Sequence, residues 1–219
     1  MKKICFVILI IFIFILSIFK VDANNLTFPL LGKTIVIDPG HGGVDEGASH
    51  GEIKEGVLNL RISLALKKEL EKLGAMVILT RDGDYDLSKP NALYRKKSDF
   101  DNRIKIINNS DADLYLSIHL NKYSNAIYYG PQVFYTTNIK MNEKLALELQ
   151  KELNNFVKTK RKAKINSANH YMYPKLNING VLIECGFLSN ANERNNLVNP
   201  EYQQVIAMVI AEGINKYFS

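Results

Sequence analysis

From Lys33 to the C-terminus, short apolar runs rich in β-branched residues alternate with longer segments that have the period of an amphipathic helix. The first run, 34–38, stops at Pro39, and the helical pattern that follows it ends at Gly74. Strand–helix–strand units of this kind favour parallel strands joined by right-handed crossovers. The alternation therefore predicts a single α/β domain of three layers, in which a twisted, mostly parallel sheet is flanked by helices.

The remaining elements follow from the same patterns. No repeat, low-complexity tract or linker indicates a second module, so we expect one domain over 33–219. The segment 158–175 has no clear period. The predicted strands are 34–38, 75–80, 113–119, 131–136 and 181–185, and the predicted helices are one from about Lys54 to Gly74, 91–109, 141–157 and a last helix with Asn199 as N-cap and Pro200 in its first turn.

The N-terminus has the composition of an export signal. Lys2 and Lys3 precede an apolar run, 4–19, which is shorter than the roughly 20 residues that a bilayer-spanning helix needs. Small residues at 21–23 suit a signal peptidase. We therefore predict a signal peptide over 1–23 and secretion across the cytoplasmic membrane, with an uncleaved anchor as the alternative. The membrane is expected to be a partner only through this segment.

Charge and cysteine content limit the possible partners. The formal net charge is +6, which suits an extracellular polyanion such as a cell wall as well as nucleic acid. The glycine-rich stretch 40–47 lacks the Gly-Lys-Ser/Thr of a phosphate loop and carries acids that repel phosphate. We expect no nucleic-acid partner, and we expect the basic cluster 158–164 to be a solvated loop. Cys5 lies in the leader, so Cys185 is predicted to be a small buried hydrophobe.

Four polar side chains are expected to meet at one edge of the sheet. His41 follows the first strand, His119 ends the third, and Glu184 lies in the last predicted strand. The carboxyl ends of parallel strands meet at one edge, and Glu55, near the start of the first helix, returns from that edge. Two histidines and one carboxylate are the ligands of an open catalytic zinc site. The sequence therefore predicts a hydrolase.

The second carboxylate has a different predicted role. A carboxylate in a buried strand is costly unless it is paired, coordinating or functional, so Glu184 is the candidate for proton transfer to the leaving nitrogen. Glu52 competes with Glu55 as a ligand. His50 and His170 have no comparable context and are expected at the surface.

Several motifs occur in a fixed order along the chain: 38–48, Glu55 with Asn59-Leu60, Thr80-Arg81, Arg103, 117–121 and 184–190. They resemble those of the zinc-dependent N-acetylmuramoyl-L-alanine amidases of the Amidase_3 family, and in particular the CwlD-type germination amidases of spore formers. The resemblance implies that His41, Glu55 and His119 bind zinc and that Glu184 is the catalytic acid/base. It also implies a peptidoglycan substrate cut between the lactyl group of muramic acid and L-alanine, and a location in the cell wall or spore intermembrane space, with a role in the cortex.

Two other functions remain open at this point. A zinc peptidase or carboxypeptidase uses similar ligands but needs a group that grips a free carboxylate, and Arg81, Arg95 and Arg103 are available for that. A catalytically silent wall-binding protein would be expected to lack at least one of the four site residues. An activating partner protein that orders the site is a further hypothesis, because metal affinity and loop order are coupled.

Overall fold

The computed structural model describes residues 27–166 and 171–219, and the predicted signal peptide lies outside them. Among these residues, no helix has the length and apolar character needed to cross a bilayer. The strands are β1 (Thr34–Pro39), β2 (Ser49–His50), β3 (Ile53–Lys54), β4 (Met76–Leu79), β5 (Leu114–Asn121), β6 (Gln132–Tyr135), β7 (Lys164–Ile165) and β8 (Gly180–Phe187). The α-helices are α1 (Glu55–Lys72), α2 (Arg95–Asn108), α3 (Met141–Val157), α4 (Ala191–Val198) and α5 (Pro200–Phe218).

Six strands form one sheet in the order β4-β1-β5-β8-β6-β7. Strands β4, β1, β5 and β8 run parallel to one another, and β6 runs antiparallel to β8. The short strands β2 and β3 form a separate antiparallel hairpin. Because the four parallel strands share one direction, their carboxyl ends lie along the same edge.

Helices cover both faces of the sheet. Alternate residues of a strand face opposite sides, so Ile35 and Ile37 of β1 join the same buried cluster as Leu66 of α1 and Ile210 of α5. Val36, between them, belongs to a second buried cluster on the other face, with Tyr115, Met172, Leu182 and Ile107 of α2. This arrangement confirms the predicted three-layer α/β domain with a mostly parallel sheet.

The structure corrects several predicted boundaries. The helix predicted over 91–109 begins at Arg95, because the preceding residue, Tyr94, has φ −115° and ψ 76°, outside the helical region, and Asn91 has a left-handed φ of 60°. Strand β8 extends two residues beyond 181–185, to Phe187, and the hairpin β2–β3 and helix α4 were not predicted. The cap of α5 is confirmed, since the Asn199 side chain accepts a hydrogen bond from the Glu201 backbone N–H at 2.8 Å.

Candidate active site

The edge of the sheet brings together the four predicted site residues. His119 in β5 and Glu184 in β8 are paired residues of neighbouring parallel strands, so their side chains leave the same face of the sheet. His41 lies two residues after β1, and Glu55 is the first residue of α1. All four line one cavity of about 490 Å³, a volume in the range of small-molecule sites.

His41, Glu55 and His119 form a compact cluster of potential ligands. Glu55 Oε1 lies 3.3 Å from His41 Nε2 and 3.1 Å from His119 Nδ1. The imidazole rings meet edge to face with centroids 5.0 Å apart. One ligand atom from each residue lies within 4.8 Å of the others, so the three side chains can hold a metal ion.

The surroundings of the cluster fit a metal site. The Glu55 carboxylate also accepts hydrogen bonds from the backbone N–H groups of Ala48 at 2.7 Å and Leu120 at 3.1 Å. Burial opposes its ionisation, but hydrogen bonds and charge from His119 and His41 hold the pKa of Glu55 far below its usual range. His41 Nδ1 lies 3.0 Å from an Asp45 carboxylate oxygen. A ligating histidine whose other nitrogen faces a carboxylate is a common feature of metal centres.

Glu184 has a different environment from Glu55. Its side chain lines the cavity, and its Oε2 is buried without a hydrogen-bond partner among the described residues. Burial, with the nearby charge of Glu55, raises the pKa of Glu184 to about 8. A carboxyl group that titrates near neutrality, in a cavity and with an oxygen free for a ligand, is suited to proton transfer.

Arg103 fixes the turn that carries His41. Its guanidinium donates to Asp38 Oδ1 at 2.7 Å and to the carbonyl oxygens of Pro39 at 2.8 Å and His41 at 2.7 Å. His41 has φ 59°, a strained conformation for a residue with a side chain. The buried guanidinium therefore holds a backbone conformation that aims the imidazole at Glu55.

The structure also corrects the idea that three arginines are available to grip a carboxylate. Arg81 is buried and donates to the carbonyl oxygens of Pro39 at 2.9 Å, Gly40 at 2.9 Å and Gly56 at 2.7 Å. Arg103 is bound to Asp38 and to backbone carbonyls, and Arg95, the first residue of α2, pairs with Asp86 at 2.6 Å but is half exposed. The two buried guanidinium groups are therefore not free to grip a carboxylate.

Two residues at the site were not singled out by the sequence. Asp45 follows His41 by four residues, and only the conformation of the turn between them shows that its carboxylate lies beside His41 Nδ1. The Tyr173 hydroxyl lies 3.4 Å from His119 Nε2 and 3.2 Å from Ser117 Oγ. Tyr173 belongs to the stretch without clear period, so no pattern indicated its position.

Other candidates are placed away from the cluster. Glu52, the alternative to Glu55, is exposed, and so is His50. His170 lies outside the described residues. Cys185 is fully buried, and burial raises the pKa of its thiol, as expected of a hydrophobic cysteine. The lysines of 158–164 are exposed.

An open α/β sheet with a His–Glu–His cluster and a separate carboxyl group at one edge is typical of a hydrolase whose site can hold a metal ion. The chain belongs to the Amidase_3 family, described as N-acetylmuramoyl-L-alanine amidase, whose model matches residues 35–216. Its membership makes it a hydrolase of amide bonds.

Individual relatives agree with the family. The chain is 40% identical to the germination-specific N-acetylmuramoyl-L-alanine amidase of Bacillus subtilis (strain 168), over 95% of this chain and 92% of that one. It is similar to the CwlD amidase from Clostridioides difficile, solved in complex with the GerS lipoprotein, with a TM-score of 0.80, 40% identity and coverage of 85% of this chain and 98% of that one. An N-acetylmuramoyl-L-alanine amidase from Clostridium difficile 630 has a TM-score of 0.74 and 30% identity over 84% of this chain and 96% of that one.

Proposed function

We propose that the domain 33–219 is a zinc-dependent amidase that cuts peptidoglycan between the lactyl group of N-acetylmuramic acid and the L-alanine of the stem peptide. The observation that carries the proposal is the His41–Glu55–His119 cluster beside Glu184 in one cavity. Two imidazoles and one carboxylate are a ligand set of catalytic zinc sites. Bound there, zinc would polarise the carbonyl under attack and make water more acidic.

Each site residue has a distinct task in this proposal. His41, Glu55 and His119 hold the ion, and Arg103 keeps His41 in its strained conformation. Glu184 takes a proton from the attacking water and passes it to the amide nitrogen that leaves with L-alanine. Burial raises the pKa of Glu184 above that of an ordinary glutamate, and a carboxyl group whose pKa is raised toward the working pH can both accept and release a proton.

The family match favours the amidase over a carboxypeptidase. Arg81 and Arg103 are bound to backbone carbonyls and to Asp38, so neither is free to bind a terminal carboxylate. A silent wall-binding protein has no need of a buried carboxyl group with an unpaired oxygen, because such a group is costly.

The similarity to a germination-specific amidase supports a place of action in the spore cortex. Export of the chain through the predicted signal peptide 1–23 is part of this proposal, since the cortex lies outside the cytoplasmic membrane.

The similar CwlD amidase was solved with a lipoprotein, which supports a partner protein for this chain as well. If the purified chain had full zinc content and full turnover without extract of its source organism, the hypothesis of an activating partner would be rejected.

Mass spectrometry of digested peptidoglycan tests the reaction. The proposal predicts that new N-termini are L-alanine and that glycan strands lose whole stem peptides. Cleavage between amino acids of the stem would establish a peptidase instead. The Glu184→Gln variant serves as the control, because it is expected to release neither product.

A further inference from the structure

A group of exposed apolar side chains lies on the loop that follows the cavity-lining residues Asn121 and Lys122. We call Tyr123, Ile127, Tyr128 and Tyr129 the tyrosine shelf; their exposed fractions are 57%, 70%, 43% and 56%. Single exposed apolar residues are ordinary, but three tyrosines and an isoleucine within seven positions form a patch. Patches of this kind on a soluble domain mark surfaces that bind something.

Tyr123 follows the wall of the cavity along the chain. Asn121 and Lys122, which line the cavity, directly precede it. Tyr123 is four positions after His119, so their Cα atoms are at most about 14 Å apart. A chain of linked sugars that leaves the cavity on this side therefore passes close to Tyr123, whose ring contacts that of Tyr128.

The loop that carries the shelf is fixed to the rest of the domain. The Tyr123 backbone N–H donates to Ser189 Oγ at 3.2 Å, and Asn190 Nδ2 donates to the Ala126 carbonyl at 2.9 Å. The Gly130 N–H donates to Glu193 at 2.9 Å. These bonds tie the loop to the β8–α4 region, so the exposed rings are positioned before a ligand arrives.

The aromatic rings of the shelf pack against one another and against the domain. Tyr123 meets Tyr128 edge to face at 5.1 Å between centroids, and Tyr128 stacks on the buried ring of Phe187 at 6.4 Å. The Arg161 guanidinium lies 4.7 Å from the Phe187 centroid and donates to the Tyr129 carbonyl at 2.6 Å. The outer rings are thus supported from below by apolar and cationic groups, as in a built platform.

We propose that the tyrosine shelf binds the glycan strand of the substrate on the muramoyl side of the bond that is cut. A sugar ring has an apolar face and hydroxyl groups at its edge, and a tyrosine offers an apolar face with a polar tip, so the two surfaces match. The inference rests on the proposed amidase function, because that function places a muramoyl sugar at the cavity. Contacts with the shelf would make the enzyme prefer long glycan strands over substrates with a single sugar.

Two substrates and one inert ligand test the shelf. In the full chain, Tyr123→Ala and Tyr128→Ala are each expected to raise KM for intact glycan strands about tenfold, the size of one lost aromatic contact, with kcat unchanged. Turnover of N-acetylmuramoyl-L-alanine, which has one sugar, is expected to stay at the wild-type level. Tyr123→Phe keeps the ring and is expected to keep the wild-type KM.

Tyr94→Ala is the matched control, because Tyr94 is an exposed tyrosine (72%) that does not line the cavity. It is expected to leave both substrates unaffected. Binding of a peptide-free peptidoglycan oligosaccharide, followed by calorimetry, reports on the shelf without turnover. Loss of that binding in Tyr123→Ala supports the shelf even if product analysis rejects the amidase.

Three results would overturn the inference. In the first, strands show an unchanged KM in both alanine variants. In the second, KM rises equally for the single-sugar substrate, which would mean that the site itself is disturbed. In the third, the shelf variants change the oligomeric state in sedimentation while glycan binding stays the same, which would make the shelf an interface between copies.

Discussion

Glu184 is the residue whose removal separates metal binding from turnover. Glutamine has the same shape but cannot accept a proton, so Glu184→Gln is expected to lower turnover by about 10²- to 10⁴-fold. Metal content, measured by mass spectrometry of the purified protein, is expected to stay at the wild-type level, because His41, Glu55 and His119 are unchanged. Glu52→Gln, at an exposed carboxylate away from the cluster, is the control and is expected to change neither quantity. Retained turnover in Glu184→Gln would remove its role as acid/base.

Asp38, at the end of β1 beside the turn that carries His41, is expected to contribute strongly to the free energy of unfolding. It is 1% exposed and accepts hydrogen bonds from Arg103 at 2.7 Å, Thr80 at 2.6 Å and Ser117 at 3.0 Å. Asp38→Asn leaves the Arg103 charge buried with less compensation, so the free energy of unfolding is expected to fall by about 3–5 kcal/mol. Chemical denaturation measures this loss.

The exposed ion pair Lys67–Glu71, with a separation of 3.7 Å, supplies the control for that variant. Glu71→Gln is expected to cost less than about 0.5 kcal/mol, because solvent screens the pair. Equal losses in the two variants would show that the buried Asp38–Arg103 pair has no special role.

The same Asp38 variant also has a signature in acid. Burial opposes ionisation, but Arg103 and Thr80 hold the pKa of Asp38 below its ordinary value of 3.8. The unfolded chain therefore takes up this proton first, and the stability that Asp38 contributes is complete above pH 3.8 and lost as the pH falls below it. Other carboxylates with lowered pKa values contribute to the acid loss in both proteins, so denaturation at a series of acidic pH values is expected to show a larger loss in the wild type than in Asp38→Asn.

At the scale of elements, the turn after β1 and the end of β5 are packed against each other. The Gly40 N–H donates to the Ile118 carbonyl at 2.9 Å, and a Cβ at Gly40 would overlap the His119 ring. Gly40→Ala is therefore expected to displace the imidazole from Glu55 and to weaken metal binding about 10- to 100-fold, as other losses of ligand orientation do. Metal titration of the purified variant measures the change.

Gly51, in the hairpin β2–β3, provides the comparison. A Cβ there meets nothing within 4 Å, and φ is 57°. Gly51→Ala is expected to cost about 1 kcal/mol of stability through its backbone conformation and to keep the wild-type metal affinity. An unaltered affinity in Gly40→Ala would mean that the His119 ring is not held by this contact.

The elements that carry the site were predictable because local signals fix them. The β-branched run that stops at Pro39 identifies a strand, and the helical pattern that stops at Gly74 identifies the crossover helix after it. Neither signal requires knowledge of the fold. The strand-end rule then predicted that His41, His119 and Glu184 lie together, and they do. Their roles in binding and catalysis stay predictions.

The rest depends on contacts between distant residues. Arg103 lies more than sixty positions from Asp38, and nothing local shows that its guanidinium is used within the protein. Helix α4 has eight residues and a weak apolar pattern, so no periodicity indicated it. The choice of Glu55 over Glu52 depends on where α1 begins, and sequence patterns fix helix ends only to within a few residues.

At the scale of the whole molecule, the candidate metal centre joins three separate parts of the chain. His41 lies after β1, Glu55 begins α1 and His119 lies near the end of β5, so the cluster exists only when the sheet and its first crossover are assembled. A bound ion would link these parts and favour the folded state, since binding to the folded form alone stabilises it. The proposed function therefore depends on one ion at one place in the fold.

Anomalous diffraction at the zinc absorption edge tests this directly, on crystals of the chain grown with zinc. The predicted result is one strong peak per chain, bonded to His41, Glu55 and His119, and no peak there in His119→Ala. A zinc peak bound to other residues in the wild type, with this cluster metal-free, would contradict the proposed metal centre.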